Sequence, residues 1–316
     1  MQTDFTHVFV TGDKKPAGML EVHAPYDGKL LATIATAGSS QIEQALASAY
    51  ELFRNKQARL PLPERISILE KLQNFMLLHQ EELAVGAAAE GGKPLIDSRV
   101  EVSRAIDGVK ICIQTLRTDA GHVIPMDFNA GSANRMAFTQ YEPIGVVVAI
   151  SAFNHPVNLI IHQVVPAVAS GCPVIVKPSA ETPLSCLRIV SLLYEAGLPA
   201  EWCQALIIPD NDLATKLVTD SRVAFLSFIG SARVGWTLRS KLAAGTRCAL
   251  EHGGVAPVFV AADADIDVAV NSITKGGFYH AGQVCVSVQR IFVHQDIVKP
   301  FAEKLANKAK SLVIGD

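Results

Sequence analysis

The chain has 316 residues, 49% of them hydrophobic, and a formal net charge of −2. That is enough apolar material for a large core and enough length for two domains. The near-neutral balance and the lack of any basic tract exclude nucleic acid and anionic membrane surfaces as expected partners.

The opening MQTDFTHVFV has no basic stretch ahead of an apolar core, so no secretory signal is expected. No apolar run reaches the length of a membrane span. The first third reads mostly helical. SQIEQALASAYELFRNK has helical spacing with Ser40 as its cap. LPERISILEKLQNFMLLHQEELAVGAAAE reads as one long amphipathic helix, stopped by Gly91-Gly92-Lys93-Pro94. DSRVEVSRAIDGVKICIQTLRTDA is a third helix, and GHVIPM and RMAFTQYEPIG read as two strands.

From Gly145 strands and helices alternate. GVVVAI, PVIVKPS, WCQALIIP, VAFLSFIG and RCALEHGG read as strands. Between them lie helices, one of them capped by Thr182 with Pro183 at its first position. This alternation predicts a parallel sheet covered on both faces, with ligands at the carboxyl ends of its strands. A further unit begins near Gly253: strand APVFVA, a helix through NSITKGGF, strand RIFVH and a last helix ending SLVIGD.

The six cysteines are Cys112, Cys172, Cys186, Cys203, Cys248 and Cys285. None forms a C-x-x-C pair, so no metal site is expected, and sparse thiols fit a reducing cytosol. Cys285 lies in FYHAGQVCVSVQRI behind Ala281-Gly282, where it is either a core thiol or a nucleophile. Lys177 ends a strand and can reach ribose or phosphate oxygens, although loop lysines are ordinarily solvated. Gly230 and Ser231 turn a strand into a helix, an anion site or a plain tight turn. Trp236 stands where a Walker lysine would be, so an ATPase is excluded. Glu251 is a general base or a surface glutamate; Asn154 is an oxyanion donor or a turn residue before proline.

Taken in this order, PIGVVVAISAFNHP, VIVKPSAETP, FIGSARVGWTL, LEHGGVAPVFV and GQVC resemble the aldehyde dehydrogenase superfamily over nearly the whole chain. The resemblance implies an α/β fold: a Rossmann-type cofactor domain followed by the first part of an α/β catalytic domain. Residues 1–120 would be the helical part of the cofactor domain, 121–142 an oligomerisation hairpin, 143–252 the NAD(P)-binding core and 253–316 the start of the catalytic domain. Cys285 would be the nucleophile, Glu251 the general base and Asn154 the oxyanion donor. Lys177, Ser179, Ala180, Gly230, Ser231, Val234, Phe153, Ser151 and Gly253 would meet NAD or NADP.

The departures are Phe153 for a usual Trp, His155 for Phe, Ile229 for Thr, His252 for Leu and Val255 for Lys. NAD-selective relatives often carry Glu where this chain has Ala180, with Glu181 one step late, so the sequence leaves NAD and NADP open. His155, Asn158 and His162 are expected along the aldehyde tunnel, favouring a polar tail. The expected enzyme is a cytoplasmic homo-oligomer acting on a small aldehyde. The alternatives are a thioester or ester hydrolase using Cys285 and Glu251, and a non-catalytic cofactor-binding fragment. Family members continue past LVIGD and carry a Glu-x-Phe-Gly-Pro segment absent from these residues, so weak turnover and self-association are expected of the chain alone.

Overall fold

The computed structural model describes residues 5–12 and 14–315. Its first third departs from the mostly helical expectation. β1 (Gly18–His23) and β2 (Leu30–Thr36) form an antiparallel hairpin, turned at Gly28 with φ 72°. α1 (Ser39–Arg54) is capped by Gly38 rather than Ser40: Gln41 Oε1 accepts the Gly38 N–H at 2.9 Å. The expected long helix is two, α2 (Leu62–Leu78) and α3 (Gln80–Gly91), because His79 leaves helical geometry with ψ 18°. Glu81 and Glu82 then suit the new N-terminus. Gly92, in the left-handed region at φ 61°, ends α3, and a Cβ there would meet Pro25 Cγ at 2.6 Å. α4 (Leu95–Thr118) follows. β3 (Val123–Ile124) and β4 (Ala137–Phe138) pair only with each other and are shorter than expected.

The alternating region folds as the pattern predicts, through β5 (Val146–Ile150), α5 (Asn158–Ser170), β6 (Val174–Lys177) and α6 (Pro183–Glu195). β7 (Cys203–Ala205), α7 (Asn211–Thr219), β8 (Val223–Gly230), α8 (Ala232–Arg239) and β9 (Arg247–His252) complete it. The five strands are parallel, in the order β7-β6-β5-β8-β9. Along β5, Val147 and Ala149 pack into one apolar cluster and Val146 and Val148 into another, so both faces are covered. The order reverses between β5 and β8, and a crevice at that reversal is where such sheets bind ligands. Gln163 of α5 spans it: its Nε2 donates to Ile150 O at 3.1 Å, Ser227 O at 3.0 Å and Ser227 Oγ at 3.1 Å.

Beyond the sheet lie β10 (Val258–Val260), α9 (Ile266–Phe278), β11 (Ile291–Val293) and α10 (Val298–Lys310). β10 and β11 pair in parallel over a separate small cluster of Val260, Val270, Ile273 and Phe301. α10 stops at Lys310, short of the expected SLVIGD end. Among the described residues no helix is long and apolar enough to cross a membrane.

The expected Thr182 cap is replaced. Its hydroxyl instead donates to Phe153 O at 3.3 Å, and buried Glu90 of α3 receives the Leu184 and Ser185 N–H groups, each at 2.8 Å. Burial raises the Glu90 carboxyl to about 7, opposed by its Ser185 bonds. A carboxyl raised on folding binds more protons in the native state, so its contribution to stability declines as pH rises from about 4.5 through 7. Glu90→Gln is expected to flatten that decline in urea melts at successive pH values. An unchanged slope would show that Glu90 ionises without strain.

Candidate active site

Three strand ends converge on the crevice. β5 delivers residues 151–154, β8 delivers Gly230 and Ser231, and β9 delivers Glu251 and His252. Opposite them the segment after α9 brings in Cys285. It arrives through three successive residues in the left-handed region: His280, Ala281 and Gly282 at φ 49°, 53° and 76°. For the two non-glycine residues that conformation costs of order 1–3 kcal/mol each, strain of the kind that gathers at functional sites. It holds Cys285 exposed, while Cys172, Cys186 and Cys203 are buried. Burial also raises the Cys112, Cys186 and Cys203 thiols, the last to about 12.

Cys285 and Glu251 stand between two cavities and line both. One, of about 330 Å³, is bordered by Phe153, Gly230, Ser231 and Gly253. The other, of about 500 Å³, is bordered by Ile111, Leu159, His162, Ser227 and Ile229. Asn154 lines the first and donates its Nδ2 to Gln283 O at 2.9 Å, tying the β5 loop to the cysteine segment. An amide NH₂ has a second donor hydrogen, so this bond leaves one for a ligand.

Glycines border the first cavity. A Cβ at Gly253 would meet no protein atom within 4 Å. A Cβ on Gly230 would come within 2.7 Å of Phe228 Cζ, so a side chain there would have to displace that ring. Ser231 caps α8 by accepting the Val234 N–H at 3.4 Å, and the first-turn N–H groups of Ala232 and Arg233 have no intrahelical acceptor. Ser151 Oγ, buried at the end of β5, has no partner among the described residues. Lys177 ends β6 and donates to Pro178 O at 3.3 Å; burial lowers its pKa and the charge of Glu181 opposes the shift. Ser179 and Ala180 follow in the same crossover, and Val234 is exposed on α8.

Of the expected tunnel residues, His162 lines the cavity on the α4 side and His155 the cavity on the Phe153 side. Asn158 lines neither; it is buried at the start of α5, where its N–H donates to Glu101. Burial lowers the His162 pKa, Arg104 adds to that, and Glu251 opposes it.

Sequence reasoning missed the group beneath Asn154. Lys93 and Glu101 are fully buried and paired at 2.5 Å. Glu101 Oε1 accepts the Val157 and Asn158 N–H groups at 2.8 and 2.9 Å. Lys93 Nζ donates to Asn154 O at 3.3 Å and lies 3.0 Å from His155 Nδ1. His280, 2% exposed, packs against His155 with ring centroids 6.1 Å apart. Burial, with the charges of Lys93 and His155, lowers its pKa to about 4. The only signal for Lys93 was its place in a helix stop, and eight residues separate it from Glu101. Among the described residues no group of His, Cys, Asp and Glu is arranged to hold a metal ion.

This fold is that of a known enzyme class. The chain belongs to the aldehyde dehydrogenase family, whose profile matches residues 9–316. It is 38% identical over 311 residues to the 3-sulfolactaldehyde dehydrogenase of Priestia aryabhattai, covering 98% of this chain and 64% of that protein. Among solved structures it resembles aldehyde dehydrogenase 21 of Physcomitrella patens in complex with the reaction product succinate. That likeness has a TM-score of 0.91 at 30% identity, covering 100% of this chain and 66% of the other. It also resembles the NADP complex of glyceraldehyde-3-phosphate dehydrogenase from Methanocaldococcus jannaschii, with a TM-score of 0.86 at 34% identity and 94% and 64% covered. The chain thus spans just under two thirds of the length of these relatives.

Proposed function

We propose that this protein oxidises an aldehyde to a carboxylic acid with NAD or NADP, using Cys285 as nucleophile. The observation that carries this reading is the place of Cys285 and Glu251 on the wall shared by two cavities, with the Asn154 amide beside them. The cavity bordered by Gly230 and Gly253 takes the dinucleotide, and the one bordered by His162 takes the aldehyde tail.

In this mechanism Cys285 Sγ, as thiolate, adds to the carbonyl carbon, and the carbonyl oxygen becomes an alkoxide. The free N–H of Asn154 Nδ2 and the Cys285 backbone N–H stabilise that charge. Collapse of the alkoxide to a carbonyl would expel the hydride from that carbon, leaving a thioester on Cys285; a nicotinamide, when bound, would supply the hydride acceptor. Glu251 then takes a proton from water as it attacks the thioester, and the thiolate of Cys285 leaves. Lys177, Ser151, Ser231 and the α8 N-terminus hold the dinucleotide.

The substrate we favour is short and polar. His162 faces the tail cavity, and the relatives act on 3-sulfolactaldehyde or yield succinate. Residues 143–252 form the cofactor core in this reading, and 253–316 the start of the catalytic domain. The β3–β4 hairpin, with Val123 and Phe138 exposed, is the expected contact between subunits of a homo-oligomer. Free thiols at all six cysteines fit the cytosol.

The test pairs an aldehyde panel in NAD or NADP with p-nitrophenyl acetate labelling mapped by mass spectrometry. The acetyl group is expected on Cys285, and Cys285→Ser should remove both label and aldehyde-dependent absorbance growth. Labelling of another thiol overturns the assignment. Acetyl turnover at Cys285 with no reduction of either cofactor by any aldehyde, repeated on a version extended to the length of the relatives, indicates a hydrolase instead.

A further inference from the structure

We propose that Lys93 is a positioning residue for the oxyanion donor, acting through the backbone of Asn154. The inference rests on the acyl-transfer reading of Cys285 and Asn154 given above. Residues 151–157 lie between β5 and α5 and belong to neither, so no regular element sets where Asn154 points. One buried ion pair does so instead. Lys93 Nζ carries three hydrogens and has three acceptors: Glu101 Oε2, Asn154 O at 3.3 Å and His155 Nδ1 at 3.0 Å. An ammonium only donates, so Nδ1 accepts and the ring proton of His155 sits on Nε2. Glu101 turns its other oxygen to the Val157 and Asn158 N–H groups. The pair thus grips this connection at four of the five residues from 154 to 158.

Capping α5 would require Glu101 alone. The Lys93 bonds lie upstream of that cap, on Asn154 and His155, and both residues line the same cavity as Cys285. Asn154 in turn donates its Nδ2 to Gln283 O, two residues before Cys285. Lys93 is buried and borders neither cavity beside Cys285, so its effect on the chemistry passes through the residues it holds. Releasing the Asn154 carbonyl would free the connection to turn, and a displacement of about 1 Å at a reacting group costs about 10²-fold in rate.

The test compares acylation of Cys285 by p-nitrophenyl acetate, which builds an oxyanion, with alkylation by iodoacetamide, which builds none. Lys93→Ala would leave Glu101 buried and unpaired, so the variant used is Lys93→Met with Glu101→Gln. That pair carries no charge and keeps an acceptor for the Val157 and Asn158 N–H groups. Rates are read well below each variant's thermal midpoint, with circular dichroism confirming the fold. Acylation is expected to fall by about 10–10²-fold with alkylation little changed. Glu101→Gln alone, with Lys93 still on Asn154 O, should acylate nearly as fast as the parent. Adding Asn154→Ala to the double variant should leave acylation no slower than Asn154→Ala does by itself, because the two changes act through one group. An acylation-to-alkylation ratio equal to the parent's in the folded double variant overturns the proposal. So does an equal fall in Glu101→Gln alone, or a full further loss when Asn154→Ala is added. Acylation unchanged by Asn154→Ala itself overturns the oxyanion reading, and this positioning role with it.

Discussion

Lys93→Ala is expected to destabilise the protein by about 3–5 kcal/mol, the usual consequence of removing one partner from a buried ion pair. The loss comes from what is left behind. Glu101 would remain fully enclosed, still accepting the Val157 and Asn158 N–H groups but with no cation opposite it. In the intact protein burial pushes the Glu101 carboxyl up, and nearby His155, the Lys93 charge and bond, and the Asn158 N–H outweigh that, so its pKa lies below the ordinary value. A group lowered on folding contributes stability above its unfolded pKa and loses it as pH falls through the folded one. Without Lys93 the burial effect dominates and the sign reverses, so the variant should grow less stable as pH rises from acid toward neutral. Lys93→Met with Glu101→Leu removes both charges but leaves two α5 N–H groups without an acceptor, so it should recover only part of the loss. Urea melts across pH decide this; a Lys93→Ala midpoint matching the parent at every pH would mean that the pair contributes nothing.

Asn154→Ala should slow acylation of Cys285 by about 10²–10³-fold, the usual effect of deleting an oxyanion donor. The side chain has two roles that must be separated, since Nδ2 also holds Gln283 O at 2.9 Å. Acylation by p-nitrophenyl acetate builds an oxyanion; alkylation by iodoacetamide needs the thiolate but builds none. An oxyanion role predicts loss of acylation with alkylation little changed. If both rates fall together, Asn154 acts by placing the cysteine segment and the oxyanion assignment fails.

The parallel sheet was legible because its signal is local. Short apolar runs such as GVVVAI, bounded by helices of regular period, allow few architectures. The β1–β2 hairpin was not, because GMLEVH is largely exposed and carries little alternation. The break at His79 was hidden for the opposite reason. Helical spacing continues on both sides, and Met76 and Leu83 pack into one core from either side of the break. Cys285, Glu251 and Asn154 were singled out because their short motifs, weak alone, are specific in this order, and the fold brings the three to one crevice. Lys93 and Glu101 carry no motif. Their importance arises from enclosure, and enclosure is a property of the folded chain.

The three bonds from Gln163 have a mechanical consequence. Parallel strands that send their crossovers to opposite sides leave a seam, and a seam is where a sheet would be expected to give. Here one side chain laces the two lips together at Ile150 and Ser227. β5 and β8 cannot part at this end without breaking those bonds as well as the ladder that joins the strands. Any yielding on ligand entry falls to the opposite bank, where Cys285 rides on a short, strained segment hung from α9.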